Sequence, residues 1–307
     1  MDFPITDLLD DELCNKWLEK HFHPQGLKCP HCGAGLAQAC EFRRTQRSRL
    51  RVYRCRRCQG IYNLYSGTVF EGRYFRPSQT VLVLRGVCQG QPTAALAREL
   101  QVSRQTIHLV RQALQSNAEK HQPEAPLSDE QTETDEMFQN AGEKGTYHGQ
   151  TADPPRCRAN KQRGHGTYDN DRPPVVGTVG RQSKQVRLRV KSHTDGKTLE
   201  THVHTCTEAQ ANCYTDEWQG YNHLQRVHAT VCHKQHEWAR DDDGDGIREV
   251  HVNTMEGLWT TVRNFLRPFR GVHKRYLSHY IAICEFNINL KRITPSFISL
   301  LVTCTCT

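Results

Sequence analysis

The sequence has no long hydrophobic run. In its 307 residues, no stretch approaches the roughly 20 apolar residues that a membrane-spanning helix needs. The opening Met1-Asp2-Phe3-Pro4 has an acidic residue where a secretory signal peptide would have basic residues before an apolar segment. These two absences argue against an integral membrane protein and a secreted one. They predict a cytosolic protein that neither spans a membrane nor is exported through one.

Disulfide bonds are not expected either, although cysteine is abundant. The chain has 14 cysteines, and a reducing compartment disfavours a disulfide framework. We therefore interpret the cysteine spacing first as metal binding and second as ordinary burial.

The balance of charge limits the class of partner. Lys and Arg total 41 against 33 for Asp and Glu, so the formal net charge is +8. This excess favours polyanionic partners but does not distinguish DNA, RNA and an anionic membrane surface. With 36% hydrophobic residues, the chain can form one sizeable core and one or two small domains.

Two Cys-x-x-Cys pairs predict a metal site near the N-terminus. Cys29 and Cys32 form the first pair, Cys55 and Cys58 form the second, and 22 residues separate them. This spacing is typical of structural zinc sites with four thiolate ligands. Coincidentally buried cysteines and a redox pair are the alternatives. We predict a zinc ribbon over residues 26–72, preceded by a helix within residues 1–25.

A dense arginine run lies within the predicted ribbon. From Arg43 to Arg57 there are eight arginines and no acidic residue. The run suits a solvated strand face, but we favour nucleic-acid contact, because so many like charges repel one another unless phosphates neutralise them. The residues expected to make this contact are Arg43, Arg44, Arg47, Arg49 and Arg51.

Residues 76–118 are predicted to form a helix-turn-helix domain. The segment from Pro92 to Leu114 indicates a helix, a tight turn and a second helix, with Ser103 as the N-cap of the second. A plain helical hairpin would have the same periodicity. The second helix is expected to expose five residues toward a major groove: Arg104, Gln105, Thr106, His108 and Arg111. Residues 119–130, which are polar and twice interrupted by proline, are predicted to be a linker.

The remaining residues to 292 indicate a mixed α/β domain, with β-prone segments before a long helical stretch. Three acids are placed as a nuclease-type site needs them: Asp135 in a strand, Asp216 after a strand and Glu256 at the start of a helix. Phosphodiester transfer uses two hard cations about 4 Å apart, held by carboxylates. Each acid taken singly also suits a cap or a solvating group.

Three sequence blocks carry a family resemblance. Thr134-Asp-Glu, Tyr214-Thr-Asp-Glu-Trp-Gln-Gly-Tyr221 and His251-Val-Asn-Thr-Met-Glu-Gly-Leu-Trp259 resemble the signature blocks of DDE transposases. Their order and spacing are similar to those of the ISXO-two-like group of insertion-sequence transposases, which also have an N-terminal zinc ribbon. The resemblance covers roughly residues 15–290. It implies an RNase H-like mixed sheet with flanking helices over residues 131–292.

The resemblance also implies roles for individual residues. Asp135, Asp216 and Glu256 would be the catalytic acids and would hold two Mg²⁺ or Mn²⁺ ions. Asn253 is an alternative third ligand, although a charged carboxylate binds a divalent cation better than an amide does. Arg263, two helical turns after Glu256, would contact the DNA end.

A basic loop is the last region to which the resemblance gives a role. Between the first two strands of the domain, Arg158, Lys161 and Arg163 would hold substrate DNA, although a flexible surface loop is an alternative reading of the same residues.

The implied activity is that of a transposase. It would bind the terminal inverted repeats of an insertion sequence as a homo-oligomer, free a 3′-hydroxyl and transfer it to double-stranded target DNA, in the cytoplasm and nucleoid of a prokaryotic host. A non-catalytic DNA-binding protein, as a decayed transposase, and a hydrolytic nuclease are the alternatives.

Two further segments have less typical sequences. Residues 293–307 lose the basic, helical character before them, which predicts an atypical tail from a shifted or truncated frame. Asp241 to Gly246 is similar to a calcium loop, but Val252 occupies its twelfth position, where an EF-hand needs glutamate. We interpret the loop as a solvated turn.

Overall fold

The chain forms two units. A computed structural model describes residues 10–143 and 164–304. The first unit comprises Met1–His121 together with Leu290–Thr307, and the second comprises Gln122–Asn289. None of the helices in the described part of the chain is long and apolar enough to cross a membrane.

In its described residues, the first unit combines a small antiparallel sheet with five α-helices. In chain order its elements are α1 (Asp11–Phe22), β1 (Ala39–Arg44), β2 (Arg51–Cys55), β3 (Ile61–Asn63), α2 (Pro77–Cys88), α3 (Thr93–Glu99), α4 (Arg104–Lys120) and, after the second unit, α8 (Pro295–Val302). The sheet has the order β1-β2-β3.

Local sequence explains where these helices begin. The Asp10 side chain accepts hydrogen bonds from the backbone N–H groups of Glu12 and Leu13 at the start of α1. Ser103 accepts one from Thr106 at 3.1 Å at the start of α4, so the predicted N-cap is confirmed. Each cap satisfies backbone donors that have no partner within the helix.

The C-terminal segment is helical, contrary to the expected loss of helical character. It forms α8, whose Phe297, Ile298, Leu301 and Val302 are buried, and it packs against α1 and α4. The Asn117 side chain donates hydrogen bonds to the carbonyl oxygens of Leu301 and Thr303 at 2.8 and 3.0 Å. The expectation that helical character ends before residue 293 is therefore wrong. Thr294 caps the helix and the apolar face packs on the unit.

The second unit is built on a five-stranded mixed sheet. Its elements are β4 (Gln131–Phe138), β5 (Pro174–Gly180), β6 (Val186–Val190), α5 (Gly196–Cys206), β7 (Asn212–Asp216), β8 (His228–Val231), α6 (Asn253–Leu266) and α7 (Lys274–Asn289). The strand order is β6-β5-β4-β7-β8. The pairs from β6 to β4 are antiparallel, whereas β7 runs parallel to both β4 and β8.

Helices cover both faces of this sheet. Val175 and Val179 of β5 join the core formed by α6 and α7, whereas Val176 packs with Leu199 of α5. Every residue of β5 is buried as a result. A strand covered on both faces is an almost continuous apolar run, because neither set of alternating side chains reaches water. The mixed α/β class predicted for this region is confirmed.

Candidate active site and metal centre

Four cysteine thiols come together in the first unit. The sulphur atoms of Cys29, Cys32, Cys55 and Cys58 all lie within 4.8 Å of one another. The Sγ atoms of Cys29 and Cys58 are 3.5 Å apart, and those of Cys32 and Cys55 are 3.6 Å apart. Such spacing suits four sulphur ligands around one metal ion, and the donor set suggests zinc. The two predicted Cys-x-x-Cys pairs do form one cluster.

The surroundings of the cluster shift the pKa values of two of its thiols in opposite directions. Backbone hydrogen bonding from Cys58 lowers the pKa of Cys55 to about 7. The Gly60 amide lowers the pKa of Cys58, but hydrogen bonding with the other thiols and burial outweigh it and raise that pKa to about 12. Gly60 is also required by space, because a Cβ atom there would lie 2.4 Å from the His31 ring. The ribbon turn is thus shaped to bring the thiols close.

The predicted arginine surface is exposed. Arg43, Arg44, Arg47, Arg49 and Arg51 all have solvent-exposed side chains on or beside β1 and β2. The guanidinium of Arg47 lies 5.1 Å from the centre of the Tyr74 ring, and Arg44 pairs loosely with Glu41 at 3.7 Å. A positive face of this kind is available to a phosphate backbone.

Helix α4, the second helix of the predicted helix-turn-helix, exposes fewer of the five expected residues than predicted. Arg104 and Gln105 are exposed, and Thr106 and His108 are half-buried. Arg111 is fully buried. Its Nε donates to Thr93 Oγ1 at 3.0 Å, and its guanidinium also donates to the Gln91 carbonyl oxygen. The expectation that Arg111 faces DNA is wrong, because it lies on the side of α4 that packs against the turn before α3.

Strand register brings Asp135 and Asp216 together. In the parallel pair, Gln131 lies opposite Asn212 and Glu133 opposite Tyr214. Continuing this register places Asp135 level with Asp216. Burial and the negative charge of Asp216 raise the pKa of Asp135 to about 6, against a weaker opposing effect of its hydrogen bonds. Burial also raises the pKa of Asp216. The two partly desolvated carboxylates repel each other, and a bound divalent cation would relieve that repulsion.

The third predicted acid lies on the helix that covers this part of the sheet. Glu256 is in the first turn of α6, which begins with Asn253, and Arg263 is in its last turn. The side chains of Asn253, Glu256 and Arg263 are all exposed. Unlike the four cysteine sulphurs, the carboxylate oxygens of Asp135, Asp216 and Glu256, all among the described residues, do not all lie within 4.8 Å of one another.

Trp259 is a site residue that the sequence did not indicate as functional. Its indole Nε1 donates a hydrogen bond to Asp135 Oδ2 at 2.7 Å. The indole fits against the sheet because Gly177, the partner of Asp135 on β5, has no side chain. A Cβ atom there would lie 2.7 Å from the Trp259 ring. The glycine therefore makes room for the residue that orients the carboxylate.

A fourth acid lies on the other face of β4. Glu136 accepts a hydrogen bond from the buried Tyr221 hydroxyl at 2.7 Å. Burial raises the pKa of Glu136 to about 8, with smaller contributions from the charges of Asp135 and Asp216. Its place directly after Asp135 was visible in the sequence, but its partner was not.

His233 approaches the same region from the end of β8. Its Nε2 lies 3.8 Å from Glu256 Oε1, and its ring packs beside Trp238 with ring centres 5.1 Å apart. The charge of His233 also opposes the rise in the pKa of Asp135 and of Asp216. Because β7 and β8 are parallel, their carboxyl ends meet at one edge of the sheet.

Two predicted features remain, and the structure describes one of them. Arg158, Lys161 and Arg163 fall outside the described residues. The loop from Asp241 to Gly246 is an exposed turn whose Asp241 carboxylate accepts the N–H groups of Gly244 and Gly246 at 2.6 and 2.9 Å. Asp241, Asp243 and Glu249 approach within 4.8 Å of one another there, as exposed acids often do without an ion.

Two comparisons with known proteins place this chain beside transposable-element proteins. Residues 142–289 match the model of the ISXO2-like transposase domain family. The predicted family resemblance is confirmed. The transposase-domain match includes Asp216, Asn253, Glu256 and Arg263, and it begins after Asp135. A protein of Halobacterium salinarum, described as an uncharacterized protein in transposable element ISH50, is 28% identical over 289 residues, covering 91% of this chain and 90% of its own length.

Proposed function

We propose that the protein is a DNA transposase that cleaves and joins DNA at a site formed by Asp135, Asp216 and Glu256. One observation carries the proposal: parallel pairing of β4 and β7 aligns two half-buried carboxylates beside a helix that belongs to the transposase-domain match. An RNase H-like fold for residues 131–292 is part of the proposal. The mixed sheet and its flanking helices are compatible with it.

The donor set of the site suits hard divalent cations such as Mg²⁺ or Mn²⁺. Asp135 and Asp216 supply carboxylate oxygens, and Glu256 supplies a third, with Asn253 as the alternative. Two such ions, held by these residues, would supply activation of the attacking hydroxyl and stabilisation of the leaving oxygen. The protein's own contribution is orientation. The indole of Trp259 holds one oxygen of Asp135, and the Trp218 amide donates to Asp216 Oδ1 at 3.0 Å.

The DNA would be held by residues outside the carboxylate site as well. We assign contact with the terminal inverted repeats to the arginines of the ribbon and to α4 as the recognition helix of a helix-turn-helix. The α4 residues are Arg104, Gln105, Thr106 and His108. Arg263, on the same exposed face of α6 as Glu256, would contact the DNA end, as would Arg158, Lys161 and Arg163. A homo-oligomer acting on two ends at once, in the cytoplasm and nucleoid, completes the proposal.

Zinc in the cysteine cluster would be structural. A three-stranded sheet whose first strand is almost entirely exposed has little apolar core of its own, so the metal would supply much of its stability. We therefore expect zinc-loaded protein to bind DNA and metal-free protein to bind it weakly.

The test is a strand-transfer assay. Zinc-loaded protein is incubated with Mg²⁺, labelled DNA carrying the element ends and a plasmid target, in parallel with Asp216→Ala, Glu256→Gln and Asn253→Ala. We expect 3′-end cleavage and joined product from the wild type, none from Asp216→Ala, and a larger loss in Glu256→Gln than in Asn253→Ala. A larger loss in Asn253→Ala than in Glu256→Gln would identify Asn253 as the third ligand.

Other outcomes would assign a different function. Cleavage that never gives joined product would indicate a hydrolytic nuclease. Zinc-dependent binding to the element ends without any cleavage would indicate a non-catalytic DNA-binding protein.

A further inference from the structure

The start of α6 is held by an acid from a different element. Glu133 is on β4, two residues before Asp135, and its side chain is fully buried. Its Oε2 accepts hydrogen bonds from the backbone N–H groups of Thr254 and Met255 at 2.9 and 3.1 Å. Its Oε1 accepts one from the Thr254 hydroxyl at 2.9 Å. The residue preceding α6, Val252, supplies no side-chain cap, so Glu133 caps the helix from the sheet.

A largely buried arginine, Arg181, fixes the position of this carboxylate. Arg181 Nε donates to Glu133 Oε1 at 2.8 Å. The same guanidinium donates to the carbonyl oxygens of Glu249 and His251 at 2.6 and 2.7 Å, which fixes the chain as it enters α6. His251 Nδ1 also lies 3.2 Å from Glu133 Oε1. The negative charge is therefore paired on one side and faces the positive end of the helix on the other.

A second contact fixes α6 one turn further on. The indole of Trp259 donates to Asp135. Side chains two apart on a strand lie on the same face, so Glu133 and Asp135 present adjacent carboxylates to the helix. They hold it at residues 254–255 and at residue 259. Glu256 lies between these two contacts, so its Cα position relative to Asp135 is set by both.

We propose that Glu133 is a positioning residue: it fixes the first turn of α6 on β4 and so places Glu256 opposite the Asp135 and Asp216 pair. The inference rests on the proposed function, since it gives Glu133 a purpose only if those acids hold catalytic metal. A buried ion pair is a weak source of stability compared with apolar side chains of the same volume. Its advantage here is that it defines a direction and a distance, which an apolar contact does not.

The test measures metal affinity as well as activity. Zinc-loaded, full-length protein is titrated with Mn²⁺ by calorimetry, and the site of interest is the one that Asp216→Ala removes. Glu133→Gln keeps the size of the side chain, but its amide nitrogen cannot accept from Arg181 or from the helix. We expect this variant to raise the Mn²⁺ Kd by about tenfold or more, since residues that orient metal ligands typically have effects of this size. Glu130→Gln, an exposed residue just before β4, is the matched control and should leave the Kd unchanged.

Two further readouts separate positioning from simple loss of fold. Strand transfer by Glu133→Gln should fall at low Mn²⁺ and recover at saturating Mn²⁺, whereas a partly unfolded protein would lose the same fraction of activity at every concentration. Thr254→Val removes only the hydroxyl donor and decides the matter if Glu133→Gln does not fold. We expect it to raise the Kd a few-fold.

An unchanged Mn²⁺ Kd in the folded variants would overturn the inference and leave the proposed function in place. So would a loss of activity that saturating Mn²⁺ does not restore. If the wild type has no Mn²⁺ site that depends on Asp216, the proposed function itself fails, and the inference fails with it.

Discussion

The second unit should lose stability in mild acid because of one buried histidine. His202 of α5 is fully buried, and its Nε2 lies 3.1 Å from Thr178 Oγ1 on β5. Burial, with a smaller contribution from the charges of Lys191 and Arg189, lowers the pKa of His202 from 6.5 to about 3. The folded protein therefore keeps His202 neutral at every pH above about 3, whereas the unfolded chain takes up a proton below 6.5.

The sign and size of the effect follow from this difference. A depressed pKa contributes stability that is complete above the unfolded value and is lost as pH falls below it. Between pH 7 and 5 the loss is about 2 kcal/mol, because the unfolded pKa of 6.5 lies 1.5 above pH 5 and each pH step of one is worth about 1.4 kcal/mol. This number does not depend on the folded pKa as long as that pKa is well below 5.

The assay is urea unfolding of the full-length, zinc-loaded protein at pH 7 and pH 5, followed by the fluorescence of the second unit's tryptophans. His202→Gln keeps a donor toward Thr178 but has no group that titrates in this range. The free energy of unfolding of the wild type should fall by about 2 kcal/mol more than that of the variant. His204→Gln, on the same helix but with 43% of its side chain exposed, is the control. An equal loss in wild type and His202→Gln would refute the reasoning.

Three further predictions concern the first unit. Leu301→Ala should lower the free energy of unfolding in urea by about 2–5 kcal/mol because the side chain is fully buried. Leu300→Ala, at a half-buried neighbouring position, should lower it less. Equal losses in the two variants would contradict the packing of α8. Cys55→Ser should abolish stoichiometric zinc by elemental analysis, and retention of a full zinc equivalent would contradict a four-thiolate site. Arg111→Met should lower the midpoint of thermal unfolding. Arg104→Ala should weaken DNA binding in a filter assay and leave that midpoint unchanged. Weaker DNA binding by Arg111→Met with an unchanged midpoint would show that Arg111 faces the DNA.

Local patterns in the sequence were sufficient for several features. The two Cys-x-x-Cys pairs predicted the cysteine cluster because each pair needs only a tight turn to present two sulphurs. Ser103 predicted the start of α4, since capping depends on residues three positions apart. The signature blocks around Asp216 and Glu256 predicted the transposase-domain match. None of these inferences needed knowledge of a distant contact.

The periodicity of α4 left its orientation undecided. A helix with residues of mixed polarity has more than one possible buried side, and the sequence favoured exposure of Arg111 because it suits the recognition helix of a helix-turn-helix. The buried side is set by the Gln91 carbonyl oxygen and the Thr93 hydroxyl. Likewise, the apolar residues of α8 were interpreted as a departure from the preceding sequence, because the surface that buries them is distant in the chain.

At the carboxylate site, the sequence by itself determined which residue types are present and in what order. Only the tertiary structure decided their grouping. Asp135 and Asp216 are 81 positions apart in the numbering, and the parallel register of β4 and β7 aligns them. Glu133 and Trp259 acquire their roles in the same way, through hydrogen bonds between β4 and α6 that span more than 120 residues. Such partners depend on strand register and helix placement, which result from the packing of the whole unit and leave no local pattern in the sequence.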